Sequence, residues 1–262
     1  MAWWMADIEH EDSVPRRDVS DRVLLTTSWD DGNPLDVRIA DTLEQFGLVG
    51  TFYASTGPDG HRLINDQDLA RIGTKHELGV HGQTHTIFPE LSRSALADEI
   101  HWAVEEMSRF GSVGSVVAPP RGKINASTSR FIGQLGFAVR TGAIVGSGGV
   151  TGNSLEPTFQ LYPHEWKTIA RNCVYQRRLP MASLLVPFAR KASPEDRFRQ
   201  MLLAAAERQR YVHLWGHAAD IHRLNLWGAL RDLLATATEL GLTPVSNTEA
   251  FDRLSRNGRP RT

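Results

Sequence analysis

Short apolar runs alternate along this chain with longer stretches in which apolar residues recur at helical spacing. Val23-Leu24-Leu25-Thr26-Thr27-Ser28 reads as a buried strand, and Pro34 opens a helix that runs through Phe46 and is closed by Gly47. Val49 to Ala54 is a second strand and Glu77 to Val80 a short third. Ser92 to Phe110 is a long amphipathic helix that stops at Gly111, and Ser115 to Ala118 and Phe137 to Arg140 are two more strands. Ser193-Pro194-Glu195-Asp196 has the form of a helix start: a capping hydroxyl, proline at the first position, then acids near the positive dipole end. Tyr211 to Trp215 is another strand, Leu226 to Leu240 a helix with Gly241 as its stop, and Leu242 to Val245 the last strand. This alternation predicts a parallel sheet with helices outside it. Six or seven strands in about 235 residues predict one closed or nearly closed α/β barrel, with an open doubly wound sheet as the alternative. In a barrel the chemistry sits at the C-terminal ends of the strands, so those positions are read first.

Composition changes the picture little. With 41% hydrophobic and 23% charged residues, the 262-residue chain can bury a large core. A net charge of -1 gives no global reason to expect nucleic acid or a membrane as partner, and no apolar stretch approaches the roughly 18 residues of a membrane span. The single cysteine, Cys173, excludes an intrachain disulfide. Residues 1–20 read as a polar arm, 21–255 as the barrel and 256–262 as a tail. Met1 to Arg17 lacks the basic start and apolar run of a secretory signal, so the cytoplasm is the expected location. Nothing in the pattern sets the oligomeric state.

Four segments at strand ends carry candidate chemistry. In Ser28-Trp29-Asp30-Asp31-Gly32 two adjacent carboxylates follow a buried strand. Their repulsion and desolvation are relieved if one ligates a cation while the other stays free as a base; an acidic turn is the alternative. His81-Gly82-Gln83-Thr84-His85 follows the third strand, and two imidazoles at that spacing suit zinc or a similar metal. One aspartate and two histidines make a facial set that serves metal-assisted hydrolysis or, equally, non-haem iron chemistry. In Leu214-Trp215-Gly216-His217, His217 is the best spare histidine for proton delivery, whereas His213, further back on the same face, is expected to be structural. Ala118-Pro119-Pro120-Arg121-Gly122 is a rigid extended loop whose backbone N–H groups can stabilise an oxyanion or simply make a turn.

Together these segments resemble the polysaccharide deacetylase (NodB-homology, carbohydrate esterase 4) family. Residues 28–32 resemble its Thr-Phe-Asp-Asp-Gly motif, and 81–85 its His-Ser/Thr-x-x-His motif with glycine at the second place. Residues 118–122 resemble Arg-x-Pro-Tyr-Gly, and His217 falls in a late Leu-x-His motif. All four occur in family order over roughly residues 22–250. The resemblance implies a distorted (β/α) barrel of about seven parallel strands. It also implies one divalent ion, zinc first, with cobalt, manganese and nickel as alternatives. It assigns Asp31, His81 and His85 as metal ligands and Asp30 as the base for a metal-activated water. His217 becomes the acid that protonates the amine, and the Arg121 backbone N–H helps hold the oxyanion. Trp29, Pro120, Trp215 and Asp220 are the expected substrate contacts, with orienting His217 or simple exposure to solvent as the other roles open to Asp220. The expected partner is an N-acylated, most simply N-acetylated, amino sugar or other small amide. Rival readings are hydrolysis of a non-sugar amide, linear or cyclic, and an inactive metal-binding carbohydrate module.

Ala118 stands where the family has an arginine beside the catalytic aspartate, so the chain reads as a divergent Pro-Arg-Gly branch. Arg121 is then expected either to fold back onto Asp30 or to meet an anionic substrate group. Lys167 to Arg210 holds ten Lys or Arg against three Asp or Glu. That run is either a solvated face or a second reason to expect an anionic substrate. His164 is a further candidate pocket residue, with a packed loop as its plainer role.

Overall fold

The computed structural model describes residues 23–55, 63–175 and 193–257. The predicted arm lies outside the described residues. Of the predicted tail only Arg256 and Asn257 are described, and they end the last helix.

Strand β1 (Leu24–Asp30) is buried along its whole length because it has neighbours on both sides. β9 (Tyr211–Gly216) pairs with one edge; β2 (Thr51–Ala54) and β10 (Thr243–Pro244) share the other. From β2 the sheet continues through β3 (Glu77–Val80), β4 (Val113–Val117), β5 (Ala138–Arg140) and β7 (Ser154–Glu156) to β6 (Gly149–Thr151). Beyond β9 it ends at β8 (Phe159–Gln160). All pairings are parallel except β6 with β7. Val145, in the segment leaving β5, bridges antiparallel to Phe159, so that segment reaches the opposite end of the curled sheet. This is the expected distorted barrel, and all seven expected strands are present. β6, β7 and β8 add two or three residues each, too short to leave a periodic trace.

Helices fill the connections: α1 (Asp36–Gln45), α2 (Asp66–Gly73), α3 (Arg93–Ser108), α4 (Ala126–Gln134), α5 (Trp166–Tyr175), α6 (Pro194–Arg208), α7 (Ala218–Arg223), α8 (Trp227–Glu239) and α9 (Asn247–Asn257). Ser92 and Ser193 cap α3 and α6 through their side chains, the second as expected from the sequence. α1 starts two residues later than expected, because the Asn33 side chain accepts from the Leu35 N–H and holds Pro34 in a turn.

Period-two alternation along β1 sorts its side chains. Leu25 and Trp29 join the large core under α1, α2, α6 and α8. Thr26, Ser28 and Asp30 face the other way. There Thr26 meets the Tyr211 hydroxyl at 3.0 Å, Tyr211 meets His213 Nδ1 at 2.7 Å, and His213 Nε2 meets Ser28 at 2.8 Å. Leu24 and Tyr211 pack with Val245, Ala250 and Phe251, so α9 backs this face. Among the described residues no helix is long and apolar enough to cross a membrane.

Candidate active site

The motif residues converge at the C-terminal ends of the strands. Asp30 ends β1 and Asp31 follows it; His81 follows β3, Ala118 follows β4, and His217 follows β9. Asp31 turns away from strand geometry with φ 79°. Four non-glycine residues have positive φ among those described, and three of them, Asp31, His85 and Arg121, lie in the motif loops. Such backbone is costly and persists where the surroundings enforce it.

The turn at Asp31 separates the two aspartates. Oδ1 of Asp31 lies 3.2 Å from Nε2 of both His81 and His85, and Oδ2 lies 3.7 Å from His217 Nε2. Donor atoms of Asp31, His81 and His85 fall within 4.8 Å of one another. The Nδ1 of His81 meets the Ala118 carbonyl at 2.7 Å, which aims Nε2 at the cluster. His85 Nε2 is buried with no well-aligned hydrogen bond. Burial alone would raise the Asp31 carboxyl, but the His81 and His85 rings outweigh it and hold the carboxyl well below the usual range.

Asp30 is buried and stays out of this cluster. Its partner is Arg140, the last residue of β5, whose Nη2 donates to both carboxylate oxygens. Of the two roles expected for Arg121, pairing with Asp30 is not the one found: Arg121 is exposed and makes no ion pair with Asp30. Arg140 is only 1% exposed, and its guanidinium lies 5.3 Å from the Tyr53 ring centroid and 4.7 Å from that of Trp215. The sequence held a signal for it: an arginine closing an apolar run expected to be a core strand must find a charge partner. The segments that follow β4 and β5 touch, since a Cβ added at Gly122 would stand 3.0 Å from the Gly142 Cα.

Nδ1 of His217 lies 3.4 Å from Asp220 Oδ2, and Arg223 donates to the other Asp220 oxygen at 2.6 Å. Asp220 is therefore placed to orient His217 and is already engaged in an ion pair. Trp215 packs its ring 5.7 Å from that of His217 and donates to the Ala143 carbonyl at 2.8 Å, forming a wall beside Arg140. Trp29 requires a correction. It is fully buried on the helix-covered face, with Nε1 donating to Thr27 Oγ1, so strand alternation points it away from Asp30 and substrate. Pro120 is likewise buried. His164 meets Gln160 at 2.8 Å and packs on Tyr162, which is the packed-loop role. His213 lies wholly within the buried network, as expected.

Two acidic residues near the site had no counterpart in the motif reading. Glu99 of α3 takes hydrogen bonds from the 81–85 loop. Asp36, at the start of α1, is buried with Oδ1 unpartnered; burial, with the Asp31 and Asp30 charges, pushes its carboxyl well up.

The polysaccharide deacetylase family model matches residues 17–139. Those residues belong to the polysaccharide deacetylase family. The match takes in both aspartates, both metal-site histidines and the 118–122 loop, and stops one residue short of Arg140. Among curated protein sequences none matches significantly. Solved structures share the fold over most of the chain. The Bc1960 peptidoglycan N-acetylglucosamine deacetylase is 15% identical with a TM-score of 0.58, covering 89% of this chain and 90% of that one. The chitin deacetylase of the fungal pathogen Colletotrichum lindemuthianum is 15% identical with a TM-score of 0.58, covering 88% of each. A carbohydrate esterase 4 family pseudoenzyme from Bacillus anthracis, BA3943, is 16% identical with a TM-score of 0.54, covering 89% of this chain and 66% of that one.

Proposed function

We propose that this chain is a metal-dependent hydrolase that removes an N-acyl group, most simply acetyl, from an amino sugar or glycan. The observation that carries the reading is the division of the two aspartates. Asp31 shares one oxygen with two imidazoles, while its neighbour Asp30 is held apart by Arg140. The donor set fits a divalent ion of the zinc type: one carboxylate, two neutral-capable imidazoles, and a His85 Nε2 with no aligned partner of its own. Such an ion supplies Lewis-acid polarisation of the acyl oxygen and a more acidic water.

The chain's own groups supply the proton transfers. Asp30, fixed by Arg140, takes the proton from the attacking water. The backbone N–H of Arg121 faces the acyl oxygen as charge develops on it. His217 gives a proton from Nε2 to the departing nitrogen, with Asp220 beside Nδ1 holding the ring and its tautomer. Trp215 walls the acyl side. The Arg121 side chain, not needed by Asp30, is available to an anionic group on the substrate. The inactive-module alternative rested on the arginine absent at position 118, and Arg140 removes that support.

The test is mass spectrometry of reactions with acetylated amino sugars, chitin and peptidoglycan fragments, nucleotide sugars and simple amides. The protein is assayed metal-loaded and chelator-treated. We expect loss of an acetyl group from a sugar amide, abolished by chelation. Unchanged turnover in metal-free protein would overturn the mechanism, and turnover confined to non-sugar amides would overturn the substrate class.

A further inference from the structure

We infer that Glu99 is the positioning residue that sets the metal-ligand loop, and that position 82 is a glycine because a side chain there would displace the Glu99 carboxylate. The inference rests on the metal site proposed above and concerns how His85 is brought into it.

The two histidines are held by different means. His81 follows a strand and has its own second anchor at the Ala118 carbonyl. His85 lies four residues out on an irregular loop, with φ 58° and a side chain 25% exposed. Between them the loop is clasped by one carboxylate. The Gln83 N–H donates to Glu99 Oε2 at 2.5 Å and the Thr84 N–H to the same oxygen at 2.9 Å, while the Thr84 hydroxyl donates to Oε1 at 2.6 Å. Both residues immediately before His85 are thereby tied to α3. That helix is itself fixed, with Leu96, Ile100 and Ala103 buried in the core beside Val80 and Val117. A loop carrying one ligand is thus referenced to a rigid helix, as an orienting outer partner of a metal ligand should be.

Position 82 gives the independent observation. Gly82 has φ 78°, and a Cβ added there would stand 3.0 Å from Glu99 Oε2 and 3.0 Å from the Phe88 ring. Any other residue would be strained in this backbone and would crowd the carboxylate. The motif that these residues resemble has serine or threonine at that place. Here the polar anchor comes from α3 instead, and the second position is reduced to hydrogen.

The test measures affinity for Zn2+ and Co2+ by competition with a chromophoric chelator, and the visible spectrum of the Co2+ form. The proteins are wild type, Glu99→Ala, Glu99→Gln and Thr84→Val. Loss of the orienting carboxylate should weaken metal binding about 10- to 100-fold and broaden or shift the Co2+ bands. Thr84→Val, which removes one of the three bonds to Glu99 together with the bond to the Thr86 hydroxyl, should lie between, and kcat should recover toward wild type at saturating metal. If Glu99→Ala does not fold, Glu99→Gln and Thr84→Val decide alone. Gly82→Ala should weaken metal binding in the wild-type background and less in Glu99→Ala, since the carboxylate it crowds is then gone while the Phe88 contact and the backbone strain remain. Folded variants with wild-type affinity and spectrum overturn the role of Glu99. Additive effects of Gly82→Ala and Glu99→Ala overturn the explanation of the glycine. A wild-type protein that binds no metal overturns the metal-site reading itself, and this inference with it.

Discussion

Arg140 decides how the catalytic pair is to be tested. A buried carboxylate with its cation removed is left uncompensated, so Arg140→Ala should cost about 3–5 kcal/mol of stability. In protein that still folds, the same change should lower kcat, because the base loses the group that fixes it. Arg140→Lys should fall between, since an ammonium cannot reproduce the donor geometry of guanidinium. An unchanged kcat in Arg140→Ala would leave Arg140 a structural residue only. Arg121→Ala should leave kcat in place. Any effect belongs in KM for anionic substrates, which a comparison of acetylglucosamine with its phosphate esters reads directly. Asp30→Asn and His217→Ala should both keep the metal, because neither residue is in the Asp31–His81–His85 cluster. Asp30→Asn should lower kcat by about 10²- to 10⁴-fold. His217→Ala should lose less on activated esters, whose leaving group needs no proton. Metal content by elemental analysis beside the kinetics separates these outcomes; loss of metal in Asp30→Asn would make it a ligand and not a base.

At the scale of elements, the helix starts hold the sheet's connections in place. α6 begins at Ser193, whose hydroxyl accepts from the Asp196 N–H at 3.1 Å, with Pro194 at the first helical position and Glu195 and Asp196 in the first turn. Ser193→Ala removes the acceptor and leaves that N–H to solvent. The expected cost is about 1 kcal/mol, seen as a lower midpoint in denaturant with unchanged slope and unchanged kcat. α6 packs Phe198, Met201 and Leu202 into the main core and lies far along the chain from the metal cluster, so an activity loss larger than the stability loss would contradict this assignment.

The whole molecule carries polar groups under its catalytic end, and they make its stability depend on pH. His213 is fully buried, engaged at both ring nitrogens, and held well below the ordinary histidine value, first by burial and then by the Arg140 charge. In the unfolded chain the same ring titrates near 6.5. As pH falls through that value the unfolded state takes up the proton and the folded state does not, so stability is lost on the acid side. His76, lowered by burial in the same way, adds to the trend. His213 and His76 therefore lower the thermal midpoint as pH falls from about 7.5 to about 5.5, against the opposite trend from the raised Asp36 carboxyl, and His213→Asn should make the midpoint fall less over that range. An equal slope in that variant would assign the effect elsewhere.

The sequence by itself determined the order of strands and helices along the chain and named the residues of the Asp31–His81–His85 cluster. Hydrophobic runs of four to seven residues and capped helical patterns report burial that is local in sequence, and His81 and His85 sit in one short motif whose spacing suits a shared ligand, whereas Asp31, 50 positions before His81, was joined to them by the family resemblance. Tertiary structure alone decided which charge faces which. Arg140 and Asp30 are 110 positions apart, and only the parallel order β1-β2-β3-β4-β5 of a curled sheet sets their side chains against each other. Trp29 was read toward the substrate because it stands beside Asp30 in the chain, yet a period of two sends neighbours to opposite faces. Glu99 belongs to a helix whose periodicity shows a buried stripe but not what lies opposite one carboxylate on it. Pairing of charges across a fold depends on strand order, register and side-chain direction, and none of these is written in the spacing of residues along one chain.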